Sequence, residues 1–282
     1  MNNKENTYCL GCRSENDLYF LSFFGGFESD IVDNNYRPLF EFGNREDKEL
    51  SEVREFFGLN DLVNDTDDDL TKMFKLIEHA YKVLHFEGQD LKEKRYDKYT
   101  PQQIIDQAHK DRSRLNCRYI ALIYTQMALS IGLVARFVSC LPMDLRFTEC
   151  HCVTEIYIRK LKKWVVSDAA FGVHYYDKAG IPLNLQEMRQ MMVNGIMPRL
   201  HVKDAAEKIF LTKYWIKNIF RFRYLKNNCY NALGLNTVEW YGLNPRGFFQ
   251  CNEDYLTDDC RHVIKNFNCD RLFYNEFGGN EQ

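Results

Sequence analysis

The chain has 282 residues, enough for one large domain or two small ones. Hydrophobic residues make up 45%, charged residues 27% and aromatics 15%, which marks a globular protein and excludes extensive disorder. With 37 Lys and Arg against 40 Asp and Glu, the net charge is −3, so there is no global footprint for nucleic acid and none is expected as a partner.

Met1 to Thr7 is polar and lacks the apolar run of a secretory signal, so a cytoplasmic location is expected. Cys9-x-x-Cys12 has the spacing of half a zinc site. A second half would need another close pair, and Cys150-x-Cys152 has the wrong spacing, so no metal and no cofactor is expected. The 10 cysteines read as reduced thiols rather than a disulfide framework. Leu18–Phe24 and Leu39–Phe42 are aromatic-rich pieces between Gly and Asn pairs, the pattern of short strands or extended loops.

From about residue 46 to 131 the pattern is helical. Asn64-Asp65-Thr66 offers N-caps, and apolar residues then recur at Leu70, Met73, Phe74, Leu76, Ile77, Tyr81 and Leu84. Thr100-Pro101 is a second helix start, with Pro in the first helical position. A third helix runs from near Asn116 to Ile131, apolar on most sides and therefore central, and Gly132 ends it. The apolar stretch Ile120–Val138 contains Thr125, Gln126, Ser130 and Arg136, so it reads as a buried helix followed by a strand, and no membrane partner is expected.

Strand character follows in Leu133–Leu141, His151–Ile158 and Lys163–Asp168. Asn184-Leu185-Gln186-Glu187 opens another helix, and Asp204–Tyr214 is helical. Trp215–Tyr224 and Val238–Tyr241 read as strands, and Leu256–Phe267 as a helix.

Three of these residues make a chemical set. Cys117 stands at the start of the buried helix, where the positive end of the helix dipole favours a thiolate. The strands His151–Ile158 and Lys163–Asp168, joined by a turn at Arg159/Lys160, fold as a hairpin. That register sets Tyr157 opposite Lys162, Glu155 opposite Trp164, Val153 opposite Val166, and His151 opposite Asp168. An Asp carboxylate there can accept the imidazole N–H and fix its tautomer. The order is nucleophile, base, orienter.

These residues resemble the transglutaminase-like superfamily of papain-type cysteine enzymes over about residues 70–195. The family's nucleophile-bearing helix start is matched by Asn116-Cys117-Arg118-Tyr119-Ile120-Ala121, and its Gly-Ile-Pro-Ala-Arg turn by Gly132-Leu133-Val134-Ala135-Arg136. Its His strand is matched by His151-Cys152-Val153-Thr154-Glu155-Ile156-Tyr157, and its Asp by Trp164-Val165-Val166-Ser167-Asp168. The segment Gly180–Arg189 is similar to one in uncharacterised bacterial members. Two positions depart from the family pattern, Leu115 for a common Gly and Ala169 for a common Pro.

The resemblance implies an α+β fold. A buried helix carrying Cys117 packs on an antiparallel sheet carrying His151 and Asp168. The expected layout is an N-terminal extension at 1–60, a catalytic core at 61–200 and a C-terminal extension of the same unit at 201–282. The implied activity is cysteine-dependent acyl transfer, hydrolysing a peptide or amide bond of a peptide or protein substrate through a thioester. Amine transfer by a transglutaminase proper and an inactive binding scaffold are the alternatives. For the oxyanion, the Cys117 backbone N–H is the favoured donor, with His79 and Tyr81 as side-chain candidates. Oligomeric state is not legible.

Overall fold

In the computed structural model, residues 39–84, 100–110, 115–142, 150–200, 205–228, 240–244 and 247–251 are described. The Cys9/Cys12 pair, the Leu18–Phe24 segment and the Leu256–Phe267 segment lie outside them.

Four helices precede the sheet's first strand beside the central one. They are α1 (Lys48–Phe56), the short α2 (Leu59–Leu62), α3 (Asp69–Val83), α4 (Pro101–Lys110) and the central α5 (Cys117–Ser130). The expected cap of α3 moves from the 64–66 segment to Asp68, whose side chain accepts the Thr71 N–H at 2.8 Å. Asp68 is the residue in extended backbone directly before the first turn, the geometry that an N-cap requires. α4 begins at Pro101, and Thr100 and Gln103 satisfy each other's backbone N–H groups as a capping box.

Helix α5 is buried from Tyr119 through Ser130. Its polar residues are buried because they are paired. Tyr124 bonds Ser167 at 2.8 Å, Thr125 bonds Thr154 at 2.9 Å, and Gln126 donates to the Asn228 carbonyl at 3.0 Å. Each fully buried Ile, Leu or Met of this helix contributes about 1.5–3 kcal/mol of transfer free energy. Gly132, at φ +81°, stops the helix in a conformation that other residues adopt only with strain. Among the described residues no helix is long and apolar enough to cross a membrane.

The strands are β1 (Val134–Leu141), β2 (His151–Ile158), β3 (Lys163–Asp168), β4 (Val173–Tyr176), β5 (Arg199–Leu200), β6 (Arg221–Leu225), β7 (Trp240–Asn244) and β8 (Gly247–Cys251). They form one sheet in the order β5-β4-β3-β2-β1-β6-β7-β8, antiparallel throughout. Two helices lie between strands in sequence: α6 (Leu185–Val193), with a full capping box between Asn184 and Glu187, and α7 (Ala205–Asn218).

Two expectations are corrected. The Trp215–Tyr224 segment is not one strand, because Trp215 to Asn218 complete α7 and only Arg221–Leu225 pair. Trp215 and Ile216 belong to the apolar face that α7 lays on the sheet, so helical packing overrides the strand propensity of aromatic and branched residues. The β2–β3 hairpin turns later than expected. Residues Arg159–Leu161 form a 3-10 turn and Lys162 is left-handed at φ 52°, so Tyr157 faces Trp164 and Glu155 faces Val166. Asp69 holds the wider turn by accepting from the Arg159 N–H at 2.8 Å and from its guanidinium at 2.6 Å.

The sheet separates two cores. On one face Cys152, Ile156, Ile158 and Val165 pack with α1, α3 and α5. On the other, Val153, Val166, Val173 and Tyr175 pack with Leu185, Met188, Trp215 and Ile216 of α6 and α7. The alternation of side chains along β2 and β3 produces this division. It also decides which face receives His151 and Asp168.

Candidate active site

Asn116 caps α5. Its backbone is extended, and its side chain accepts the Tyr119 N–H at 3.1 Å while its carbonyl takes the Ile120 N–H at 3.1 Å. Cys117 is therefore the first helical residue, at the positive end of the helix dipole, and its own N–H is among those that a helix start leaves outside its ladder. Its half-buried thiol donates to the Cys150 carbonyl at 3.7 Å. Cys150 directly precedes His151.

His151 opens β2, and Asp168 closes β3. The wider hairpin places Asp168 level with Val153 rather than with His151, yet the two side chains meet, with His151 Nε2 2.7 Å from Asp168 Oδ2. An offset of two residues leaves both on the same face, so the expected contact survives as a diagonal neighbour. A carboxylate only accepts, so Nε2 carries the proton and donates it to Asp168. Both side chains are fully buried. His151 Nδ1 and Asp168 Oδ1 are buried without a hydrogen-bond partner. The imidazole thus keeps an unsatisfied nitrogen, with its other nitrogen committed.

The pair is enclosed by aromatics that sequence reasoning did not single out. Rings of Phe171, Tyr214 and Trp215 lie 5.4, 4.9 and 5.3 Å from the His151 ring, the last two edge-on. Trp215 Nε1 donates to the Tyr175 hydroxyl at 2.6 Å, and that hydroxyl donates to Asp168 Oδ2 at 3.4 Å. Burial, then the adjacent Asp168 charge, pushes the Tyr175 phenol well above its usual range, so it stays a donor. Tyr214 is pushed up as well, by burial and then by the Cys117, Asp168, Cys150 and Cys152 groups around it. The only signals were the high aromatic content and the nearness of Tyr175 to Asp168 in sequence. The placement of Tyr214 and Trp215 depends on how α7 packs.

The structure brings His151 and Asp168 together, and it sets Cys117 beside the residue that precedes His151. Cys117 packs against the core on the α5 side of the sheet, and the His151 ring lies against Tyr214 and Trp215 of α7 on the other. Of the oxyanion candidates, His79 donates Nε2 to the Phe57 carbonyl at 2.9 Å, and Tyr81 packs against Gly172. Arg136 and Glu155, the charged residues of the two family-like strands, form a buried cross-strand ion pair at 2.6 Å. The Arg136 guanidinium lies 4.0 Å over the Trp164 ring. No cluster of His, Cys, Asp or Glu suited to a metal ion occurs among the described residues.

A helix bearing a cysteine at its N-terminus, packed on an antiparallel sheet bearing a His–Asp pair, defines a papain/transglutaminase-like fold. Residues 60–169 match the family model of the transglutaminase-like superfamily core. A crystal structure from Cytophaga hutchinsonii, named "Putative Cysteine Protease", is similar at 15% identity and a TM-score of 0.30, over 72% of this chain and 52% of that one. The chain thus spans about half the length of that protein. No curated protein matches the chain.

Proposed function

We propose that this protein hydrolyses a peptide or amide bond through a thioester on Cys117, with His151 as acid–base and Asp168 as its orienter. The observation that carries this reading is the His151–Asp168 bond, which holds the imidazole with Nε2 as donor and leaves Nδ1 buried and unpaired. An acid–base group needs such a free nitrogen. In this reading substrate entry brings the Cys117 sulfur and Nδ1 into hydrogen-bond reach, and the Cys117 proton passes to Nδ1.

The thiolate then attacks the carbonyl carbon. The oxyanion takes the Cys117 N–H, and His151 protonates the departing amine. Water, activated by the same imidazole, adds to the thioester and releases the acid. Water is the acceptor because it is in excess and no amine-binding site is recognisable among the described residues.

The test is release of a fluorogenic or mass-tagged amine from a library of peptides and N-acyl amides, with and without added primary amines. The reading expects amine release that is independent of added amine and is abolished in Cys117→Ser. Turnover that requires an added primary amine would assign the protein to the transferases. Binding of library members without turnover would assign it to the scaffolds.

A further inference from the structure

Acyl transfer uses one thiol, yet four free thiols stand close to the site: Cys117, Cys140, Cys150 and Cys152. Cys150 and Cys152 are two residues apart at the start of β2, so both side chains turn to the α5 face, where Cys117 begins the helix. Cys117 reaches the Cys150 carbonyl at 3.7 Å, and Cys152 lies 3.6 Å from the Ser139 hydroxyl. Cys117, Cys150 and Cys152 all pack into the same apolar core on that face. Exposure differs across the cluster. Cys117 is half-buried, whereas Cys152 is 1% exposed and Cys140 is fully buried.

We propose that Cys117 and Cys152 form a reversible disulfide after hydrogen peroxide oxidises Cys117, which makes the pair a redox-modification site that switches the nucleophile off. The inference rests on the reading of Cys117 as the reactive thiol. Cys117 and Cys150 are both half-buried and within reach of peroxide, but the contact with Cys152 and burial hold the Cys150 thiol protonated, so oxidation falls on Cys117. The Cys117 thiolate attacks one peroxide oxygen, the O–O bond breaks, hydroxide leaves, and Cys117 becomes a sulfenic acid. The Cys152 sulfur then attacks the Cys117 sulfur. The S–O bond breaks, and the sulfenic hydroxyl departs with the Cys152 proton as water.

Cys152 is protected while Cys117 is reduced. The Cys117 sulfur, then burial, pushes the Cys152 thiol up to about 12, so it remains a protonated thiol beside a reduced Cys117. That rise keeps Cys152 unreactive until Cys117 is oxidised and the Cys117 contribution to it is lost; the Cys152 proton then leaves with the sulfenic hydroxyl as its sulfur attacks, and burial keeps external oxidant from reaching Cys152 first. Cys150 is held up by its contact with Cys152 and by burial. A dithiol restores both thiols by exchange, ending as its own cyclic disulfide.

The experiment treats the full chain with hydrogen peroxide, blocks residual thiols with N-ethylmaleimide and maps non-reduced peptides by mass spectrometry. Cys150 and Cys152 share the tryptic peptide 147–159, so the partner is read from fragment ions between them and from Cys150→Ser and Cys152→Ser variants. The expected result is a Cys117–Cys152 link with loss of both free thiols, reversed by dithiothreitol. In Cys152→Ser and Cys152→Ala, Cys117 should be trapped as the sulfenic acid when dimedone is present and proceed to the sulfinic acid when it is absent. In the wild-type chain, sulfinic Cys117 beside a free Cys152, a link from Cys117 to Cys150, or an unoxidised Cys117 would each overturn the proposal. The reading beneath it is checked separately by iodoacetamide on untreated protein. A Cys117 that alkylates no faster than in denatured protein defeats the nucleophile reading, whereas a fast Cys117 without the link defeats only the switch.

Discussion

Asp168 and His151 are bonded at 2.7 Å although the β2–β3 ladder does not set them opposite each other. The bond spans a diagonal of the sheet, and both partners are fully buried. Asp168→Asn keeps the shape but removes the obligate acceptor. The amide can present its NH2 to Nε2 and so favour the tautomer with the proton on Nδ1. The expected outcome is a fall in kcat of roughly 10²–10⁴ with a well-folded protein, magnitudes typical of losing the orienting group of a triad. Steady-state kinetics on a substrate from the peptide screen, with circular dichroism as the folding control, checks it.

Tyr175 links Trp215 to Asp168 by two hydrogen bonds. Tyr175→Phe leaves the buried Trp215 N–H without its acceptor and takes a donor from Asp168. The expected cost is about 1–3 kcal/mol of stability, read as a lower urea midpoint with unchanged slope.

The buried phenols of Tyr124, Tyr175 and Tyr224 are all raised by burial, Tyr124 in spite of its bond to Ser167. Their folded pKa values exceed the unfolded value of about 10, so the folded state keeps protons that the unfolded state loses. Stability is unaffected by these groups below pH ~10 and falls as pH rises above it. Urea midpoints between pH about 9 and 11 should show this fall, and Tyr175→Phe should make it shallower.

Much of this arrangement is legible in the sequence, for definite reasons. Asn116 and Gly132 mark both ends of α5, because a cap and a left-handed stop have few alternative uses. The alternation in His151–Ile158 and Trp164–Asp168 assigns faces correctly even though the hairpin turns later than expected, because a shift of two residues changes no face. The Arg159–Lys162 turn is not legible, since the Asp69 contacts that hold it come from a helix 90 residues away. Trp215 reads as strand because its segment is rich in aromatics, and only packing on the sheet makes it helical. Strands β4 and β5, at four and two residues, are too short to carry a periodic signal.

Gly172 lies four residues past Asp168 at φ +65°, and a Cβ there would stand 2.7 Å from Tyr81 Cγ. Gly172→Ala should cost about 1–3 kcal/mol through crowding and the left-handed backbone together. Tyr81→Ala should rescue only the crowding. The melting temperatures of the two single variants and the double variant separate the contributions.

Glu155 accepts from Arg136 on one oxygen and from the Leu185 N–H at 3.0 Å on the other, tying β1, β2 and the start of α6. Glu155→Gln leaves a buried guanidinium without its counter-charge. The expected destabilisation is about 3–5 kcal/mol, larger than for Tyr175→Phe. Denaturant titration checks the ranking.

The central claim is that Cys117 and the His151–Asp168 pair act as one unit. The measurement that tests it most directly is the pH dependence of alkylation at each cysteine, read by peptide mass spectrometry in the wild type and in His151→Ala. The account predicts that Cys117 alone is alkylated rapidly at mildly acidic pH, and that His151→Ala abolishes this advantage while the protein stays folded. Alkylation of Cys117 that declines with falling pH as a free cysteine's does, and that is the same in His151→Ala, would contradict it.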